Sequence, residues 1–179
     1  MIWFRTCDAR WPFFWDASGQ PSGRWHAAGE GPVQYLADTP DGAWAEFLRH
    51  EEITDPADLA GIERAVWAVD VDPDVERTRR PSLDAATLRG GLGSYEACRA
   101  EARRLHGRGA TALNAPSAAL LPGGARGQVV RDGALVEGRR RDGRVLALFG
   151  ARPAFKGWRC ALRGRPHERL LAIVRRLEA

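Results

Sequence analysis

Short apolar runs of strand length, bounded by glycine, proline or acidic residues, recur along the chain and constrain its fold more than any other feature. Such runs predict β-strands. The predicted strands are Ile2–Cys7, Val33–Ala37, Ala65–Val71, Ala110–Ala115 and Val145–Phe149. Helical patterns separate only some of them, so the regular strand–helix alternation of a doubly wound sheet is missing. We therefore expect an α+β fold with mixed sheets and a few flanking helices.

Three helices are predicted from their start and stop signals. Thr39-Pro40 combines a hydroxyl N-cap with proline at the first helical position, and it begins a helix that extends to about His50. A second helix begins at Ser94 and ends at Gly107. Pro166 opens a third helix near the end of the chain.

Turn signals fill the remaining segments. Residues 72–93 contain prolines, charges and adjacent glycines, which predicts irregular structure. Asp132-Gly133 and Asp142-Gly143 each predict a β-hairpin. With 179 residues and 44% hydrophobic content, residues 1–179 suit one compact domain.

The charge pattern argues against a nucleic-acid or membrane partner. The formal net charge is +4, but Lys156 is the only lysine among 27 basic residues. The arginines are spread along the chain and interleaved with acids, which indicates coding bias and solvated faces rather than a phosphate-binding surface. The first residues do not resemble a signal peptide, and no apolar run approaches the roughly 20 residues that span a bilayer. A cytoplasmic protein is expected.

Several common functional motifs are missing from the sequence. It contains no GxGxxG after a strand and no GxxxxGK[ST], which disfavours a Rossmann site and a P-loop. Cys7, Cys98 and Cys160 form no CxxC pair, and the four histidines show no HExxH spacing. A metal site is therefore not expected.

Two residues are suited to holding a nucleotide. Arg24 follows a glycine in a loop, and its guanidinium could bind phosphate in a two-pronged manner. The alternative is a surface arginine packed on Trp25. Tyr35 lies in a predicted strand, where its ring could stack on a heterocycle while its hydroxyl makes a polar contact. The alternative is an ordinary half-buried strand tyrosine.

Two further residues are suited to chemistry at a sugar. Glu46 lies on the flank of a predicted helix and could stabilise the oxocarbenium-like state of glycosidic cleavage. The alternative is a solvated carboxylate paired with His50 one turn later. Ser117 follows Pro116 at a strand end, where its hydroxyl could bind phosphate or position a nucleophile. The alternative is a turn or cap residue, and no GxSxG elbow supports a serine hydrolase.

These segments together resemble the RES-domain family, which is named for an arginine, a glutamate and a serine. The resemblance lies in Gly23-Arg24-Trp25-His26, Pro32–Ala37, Ala43–Glu46 and Ala115-Pro116-Ser117-Ala118. Shorter matches at Trp3-Phe4-Arg5 and Val145–Phe149 extend it over residues 3–149. Residues 150–179 are then expected to form a C-terminal extension that contains the last helix.

The resemblance implies a fold similar to the ADP-ribosyltransferase toxins, with NAD as substrate and no separate cofactor. Arg24 would hold the pyrophosphate or neighbouring ribose, and Tyr35 would pack against the nicotinamide. Glu46 would orient the nicotinamide ribose and stabilise the oxocarbenium. Ser117 would complete the phosphate-side or acceptor pocket, and Arg5 is a weaker candidate for NAD binding. Family members are usually toxins, and a helix-turn-helix antitoxin covers the active-site entrance.

Two departures from the family and several functions remain open at this point. His26 stands where the family usually has asparagine, and residues 126–144 form an insertion that could provide a partner surface. An NAD glycohydrolase or phosphorylase is the leading hypothesis. An ADP-ribosyltransferase acting on a protein uses the same chemistry with another acceptor. A nucleic-acid-binding module built on the basic hairpins is the third, and a homodimer is compatible with each.

Overall fold

The computed structural model of the protein describes residues 1–14, 19–72 and 77–177. Its largest element is a seven-stranded sheet. The strands of this sheet are β1 (Ile2–Cys7), β2 (Val33–Ala37), β3 (Arg64–Asp70), β4 (Thr78–Arg79), β5 (Ala112–Pro116), β8 (Arg144–Phe149) and β9 (Lys156–Gly164). They lie in the order β4-β5-β8-β2-β1-β3-β9. All neighbouring strands are antiparallel except β4 and β5, so the sheet is mixed. The α+β prediction is confirmed.

The five predicted strands are all present, within two residues at each end. The central strand β2 is buried at Val33, Gln34, Leu36 and Ala37. It runs beside β8 from Val33 opposite Phe149 to Ala37 opposite Val145. This pairing fixes β2 along its whole length against β8, while β1 pairs with it only at Ala37, opposite Phe4.

The first predicted helix is present as α1 (Pro40–His50), and its cap is the predicted one. The Thr39 hydroxyl accepts a hydrogen bond from the Gly42 amide at 2.9 Å, and Pro40 occupies the first turn. Ala45 and Leu48 are fully buried on its inner face. This packing fixes the rotation of α1 and therefore the direction in which Glu46 points.

The second predicted helix is present as α3 (Tyr95–Gly107), which buries Cys98, Ala102 and Leu105. The segment expected to be irregular before it contains β4, the short helix α2 (Ala85–Arg89) and a 3₁₀ turn at Leu92–Ser94. Positions 73–76 of that segment lie outside the described residues. The prediction of a wholly irregular segment was wrong, because Asp84 caps α2 through a hydrogen bond from the Thr87 amide.

Only one of the two predicted hairpins is present. Asp132-Gly133 joins β6 (Gln128–Arg131) to β7 (Ala134–Glu137), which pair as a separate two-stranded sheet. The hairpin at Asp142-Gly143 was wrong. The strand after it, β8, instead lies between β2 and β5, which supply better-buried partners.

The predicted helix at Pro166 was also wrong. Glu168–Ile173 is a 3₁₀-helix, and the chain from Val174 to residue 177 is extended or irregular. Before it, β9 was not predicted, yet it forms an edge of the main sheet beside β3. Residues 150–177 therefore contribute to the main sheet, and positions 178–179 lie outside the described residues.

Candidate functional site

A cavity of about 680 Å³ opens between the loop of residues 19–26, strands β1 and β2, and helix α1. This volume lies within the range of small-molecule sites in proteins. Four of the five predicted site residues line it, namely Arg5, Arg24, Tyr35 and Glu46. The fifth, Ser117, lies behind the wall between two lining residues, Pro116 and Ala118. The fold therefore brings together residues that are far apart in sequence.

Glu46 projects from α1 towards the end of β5. Its carboxylate oxygen Oε1 accepts a hydrogen bond from the Ser117 hydroxyl at 2.8 Å. Burial raises the pKa of Glu46, while Ser117 and the nearby Arg49 and Arg24 act in the opposite direction. The carboxylate thus points into the protein and does not form the predicted alternative pair with His50. A partly desolvated carboxylate on a cavity wall is a strong electrostatic partner for a developing cation.

Ser117 has no hydrogen-bonding capacity left for a ligand. Ser117 is only 2% exposed. Its hydroxyl donates a hydrogen bond to Glu46, and the same oxygen accepts hydrogen bonds from the amides of Ala119 and Leu120 at 3.1 and 3.2 Å. A hydroxyl has one proton and two lone pairs, so all three are used. This geometry replaces the expected phosphate contact with a supporting role for Glu46.

Arg24 is held by several elements. Its Nη1 donates to the Ser94 hydroxyl at 3.0 Å and to the Thr87 carbonyl at 3.3 Å, and its Nη2 donates to the Gly90 carbonyl. Its guanidinium carbon lies 4.6 Å from the centre of the Tyr95 ring. The residue is 9% exposed, so the alternative of a surface arginine stacked on Trp25 does not describe it.

Arg49 is a site residue that the sequence analysis missed. It lies one turn after Glu46 and is 5% exposed, and it lines the same cavity. Its Nη1 donates to the Ala118 carbonyl at 2.5 Å, and its Nη2 donates at 2.7 Å to the Gly90 carbonyl that Arg24 also uses. Its Nε is buried without a partner. An arginine in the last turn of a helix is ordinarily a solvated cation, so only its spacing from Glu46 signalled this position.

The two guanidinium groups leave positive charge on the cavity wall. Among the described residues, neither Arg24 nor Arg49 has a carboxylate at ion-pair distance. Burial lowers the pKa of Arg49 and the charge of Arg24 lowers it further, while the charge of Glu46 acts in the opposite direction without forming an ion pair. Two adjacent buried cations are costly unless an anion accompanies them. The wall is therefore suited to a ligand that carries phosphate charge.

Tyr35 turns its hydroxyl towards the loop that carries Arg24. The Trp25 amide donates to that hydroxyl at 3.0 Å, and Nδ1 of His26 lies 2.9 Å from it. The tyrosine is partly buried, lines the cavity and packs against a core that includes Trp25 and Phe149. Burial raises its pKa, so the phenol stays protonated.

Arg5 lies on β1 and is among the residues that line the cavity. Its Nη1 donates to Oε1 of the fully buried Gln34 at 2.5 Å. Its guanidinium carbon lies 5.8 Å from the centre of the Phe14 ring. Because Gln34 is adjacent to Tyr35 on β2, the two side chains lie on opposite faces of the sheet, so the Arg5 guanidinium is on the face away from Tyr35. The NAD contact expected of Arg5 stays a prediction.

The described residues contain no group of three or more histidine, cysteine, aspartate or glutamate side chains arranged to hold a metal ion. Within them, no helix has both the length and the apolar character that crossing a membrane requires.

The sequence matches the RES domain family over residues 2–171, nearly the whole chain. The chain belongs to the RES domain family. The match extends beyond the resemblance at residues 3–149 and includes β9. Members of the RES family are generally associated with NAD-related toxin function. No curated protein matches the chain.

Proposed function

We propose that this RES-domain protein cleaves the nicotinamide–ribose bond of NAD. One observation carries the proposal: the Glu46 carboxylate and the guanidinium pair of Arg24 and Arg49 line a single cavity. NAD has two complementary features: its pyrophosphate carries negative charge that the arginines can bind, and positive charge develops at its ribose during cleavage, which the carboxylate can stabilise. Family membership supports NAD as the ligand.

The reaction needs charge stabilisation more than proton transfer. The C1′–N1 bond breaks, its electron pair goes to the pyridinium nitrogen, and nicotinamide leaves as a neutral molecule. The ribose becomes oxocarbenium-like, and the Glu46 carboxylate stabilises that positive charge across the cavity. Ser117 fixes the direction of the carboxylate, and Arg24 and Arg49 hold the pyrophosphate so that the ribose stays in reach.

Water or inorganic phosphate then takes the ADP-ribosyl group in this proposal. Attack by water gives ADP-ribose and a proton, and attack by phosphate gives the phosphorylated sugar. A protein acceptor would make the enzyme a transferase. Labelled NAD incubated with a cell lysate separates these outcomes, because transfer leaves label on a protein band and cleavage leaves it in small molecules.

Expression in a bacterial host tests the proposal in cells. We expect the wild-type protein to arrest growth and deplete cellular NAD, while Glu46→Ala at the same protein level does neither. Growth arrest with unchanged NAD would contradict the proposal. Equal toxicity of the wild type and Glu46→Ala would contradict the assignment of Glu46.

The proposal includes a cytoplasmic location and a protein partner. The family is generally linked to antitoxin partners, and the resemblance implies a helix-turn-helix protein that covers the cavity entrance. Where a small helix-turn-helix protein is encoded beside this chain, its co-expression is expected to restore growth. Copurification of the two proteins would identify the pair, and size measurement of each would show whether the toxin forms a homodimer.

A further inference from the structure

The loop that carries Arg24 is closed by a chain of hydrogen bonds rather than by regular structure. The Gly23 amide donates to the His26 carbonyl at 3.0 Å, and Nε of Arg99 donates to the Gly23 carbonyl at 2.9 Å. Behind this turn, the Tyr35 hydroxyl accepts from the Trp25 amide. His26 extends this chain of hydrogen bonds. Its Nδ1 lies 2.9 Å from the Tyr35 hydroxyl, and its Nε2 lies 2.9 Å from the Pro21 carbonyl oxygen.

The direction of each hydrogen bond follows from the partners. A carbonyl only accepts, so Nε2 of His26 carries a proton and donates it to Pro21. Burial lowers the pKa of His26; Glu30 and the Pro21 carbonyl raise it in part, and Arg99 lowers it further. The imidazole is therefore neutral at neutral pH, and its Nδ1 has a lone pair. The Tyr35 hydroxyl must donate to that nitrogen.

The fit of the turn is tight around the same atoms. A Cβ added to Gly23 would lie 2.6 Å from the Tyr35 hydroxyl oxygen and 2.8 Å from Cε1 of His26. His26 is 2% exposed and Trp25 is 3% exposed, so both are packed inside the protein. The loop has little freedom while the hydrogen bonds are in place.

We propose that the hydrogen-bonded pair of Tyr35 and His26 forms a latch, which fixes the loop of residues 19–26 and thereby positions the Arg24 guanidinium. The Tyr35 hydroxyl donates its hydrogen bond to His26, so it cannot donate one to a ligand in the cavity. Both residues are positioning residues that act through Arg24. The link to NAD rests on the proposed function, whereas the latch itself does not.

The latch also predicts a response to acid. When His26 takes up a second proton, Nδ1 becomes a donor and no longer accepts from Tyr35. The Tyr35 oxygen then faces two donors, and its own proton has to turn away, so the latch loses its present form. The KM for NAD is expected to rise as the pH falls through the lowered pKa of His26, with Glu30 and Arg99 as the charged neighbours.

A double-mutant cycle with nicotinamide release as the readout tests the latch. We expect Tyr35→Phe and His26→Leu each to raise KM roughly 3- to 10-fold with little change in kcat, since both lose the neutral Tyr35–His26 hydrogen bond on which the latch depends. Each variant also loses one bond of its own, to the Trp25 amide or to the Pro21 carbonyl. The double variant should raise KM by less than the product of the two single effects, because the shared bond is lost only once. His26→Asn should recover most of the loss of His26→Leu, because an amide oxygen can accept near the position of Nδ1. Additive effects, or a fall in kcat at unchanged KM, would overturn the proposal.

Two measurements on the protein without NAD keep the latch separable from the proposed function. Nitrogen NMR of the wild type is expected to show His26 as the neutral form protonated at Nε2. Hydrogen exchange is expected to show the Trp25 amide protected in the wild type and less protected in Tyr35→Phe. The other tautomer, or equal protection, would overturn the latch. If both results hold and NAD stays intact, the latch stands and the proposed function fails.

Discussion

The two sides of the cavity are built in different ways. The carboxylate wall, formed by Glu46 with Ser117 behind it, rests on α1 and the end of β5, whose backbone hydrogen bonds fix it. The arginine wall, formed by Arg24, Tyr35 and His26, begins in a loop and depends on side-chain hydrogen bonds. Regular structure thus positions Glu46, which faces the positive charge that develops on the ribose in the proposed reaction. A network of side-chain hydrogen bonds positions Arg24, which faces the fixed negative charge of the pyrophosphate.

Arg49 joins the two walls. It donates to the Ala118 carbonyl behind the carboxylate wall and to the Gly90 carbonyl that Arg24 also contacts. A substitution that affects one wall alone should therefore separate kcat from KM, whereas a substitution at Arg49 should not.

The largest effect is expected from removing the charge on the carboxylate wall. Glu46→Gln should lower kcat about 10²- to 10³-fold with a small change in KM, because the charge acts on the transition state. Steady-state kinetics of nicotinamide release measures both constants. Glu63→Gln, which removes an exposed carboxylate elsewhere, is the matched control and should leave both unchanged.

The same substitution should raise the thermal stability at neutral pH. The pKa of Glu46 is higher in the folded than in the unfolded protein, so its contribution to stability is present at low pH and is lost as the pH rises through the folded pKa. A glutamine avoids that loss. A Tm of Glu46→Gln at or below the wild-type Tm at pH 7 would contradict the desolvated environment of the carboxylate.

A substitution in the arginine wall should change KM more than kcat. Arg24→Met is expected to raise KM roughly 10- to 100-fold with a smaller change in kcat, since hydrogen bonds to charged groups contribute about 1.5–3 kcal/mol. Arg10→Met removes an exposed arginine and serves as the control. A fall in kcat at unchanged KM would place Arg24 at the reacting atoms instead of the pyrophosphate.

Ser117→Ala weakens the carboxylate wall without removing its charge. We expect kcat to fall roughly tenfold, since one hydrogen bond to a charged group is lost. The acid limb of the pH–kcat profile should move to higher pH, because the Ser117 hydroxyl lowers the pKa of Glu46. A rise in KM with an unchanged acid limb of the pH–kcat profile would indicate that Ser117 contacts the phosphate of NAD and does not support Glu46.

The smallest effect is expected from substitutions at Arg49, which links the two walls. Arg49→Met should raise KM and lower kcat a few-fold each, and it should move the acid limb upward because the Arg49 charge lowers the pKa of Glu46. Arg49→Lys keeps the charge and should leave the limb near its wild-type position. Identical limbs in the two variants would show that the charge of Arg49 does not act on Glu46.

Much of the fold and part of the site could be predicted from the sequence, for physical reasons. The cap at Thr39 and the buried strand β2 have local signals, so α1 and the position of Glu46 followed from them. Strand β9 was missed because the apolar and polar residues of its sequence, KGWRCALRG, do not alternate. The 3₁₀-helix at Glu168–Ile173 keeps an apolar pattern similar to that of an α-helix. Local patterns do not report which strand a segment will join.

The partners of the site residues could not be predicted, because they come from distant segments. The Ser117 hydroxyl meets a carboxylate 71 positions earlier, and Arg24 meets a serine 70 positions later. Arg49 has no motif of its own. The sequence therefore indicates which residue types carry the chemistry, whereas the packing of distant segments determines which residue contacts which.

The most direct test of the central claim is mass spectrometry of NAD incubated with the purified protein, with and without inorganic phosphate. We predict release of nicotinamide by the wild type, with ADP-ribose or its phosphorylated form as the second product, and a loss of about 10²-fold or more in Glu46→Gln. Intact NAD in both conditions at high concentrations of correctly folded wild-type protein would contradict the account.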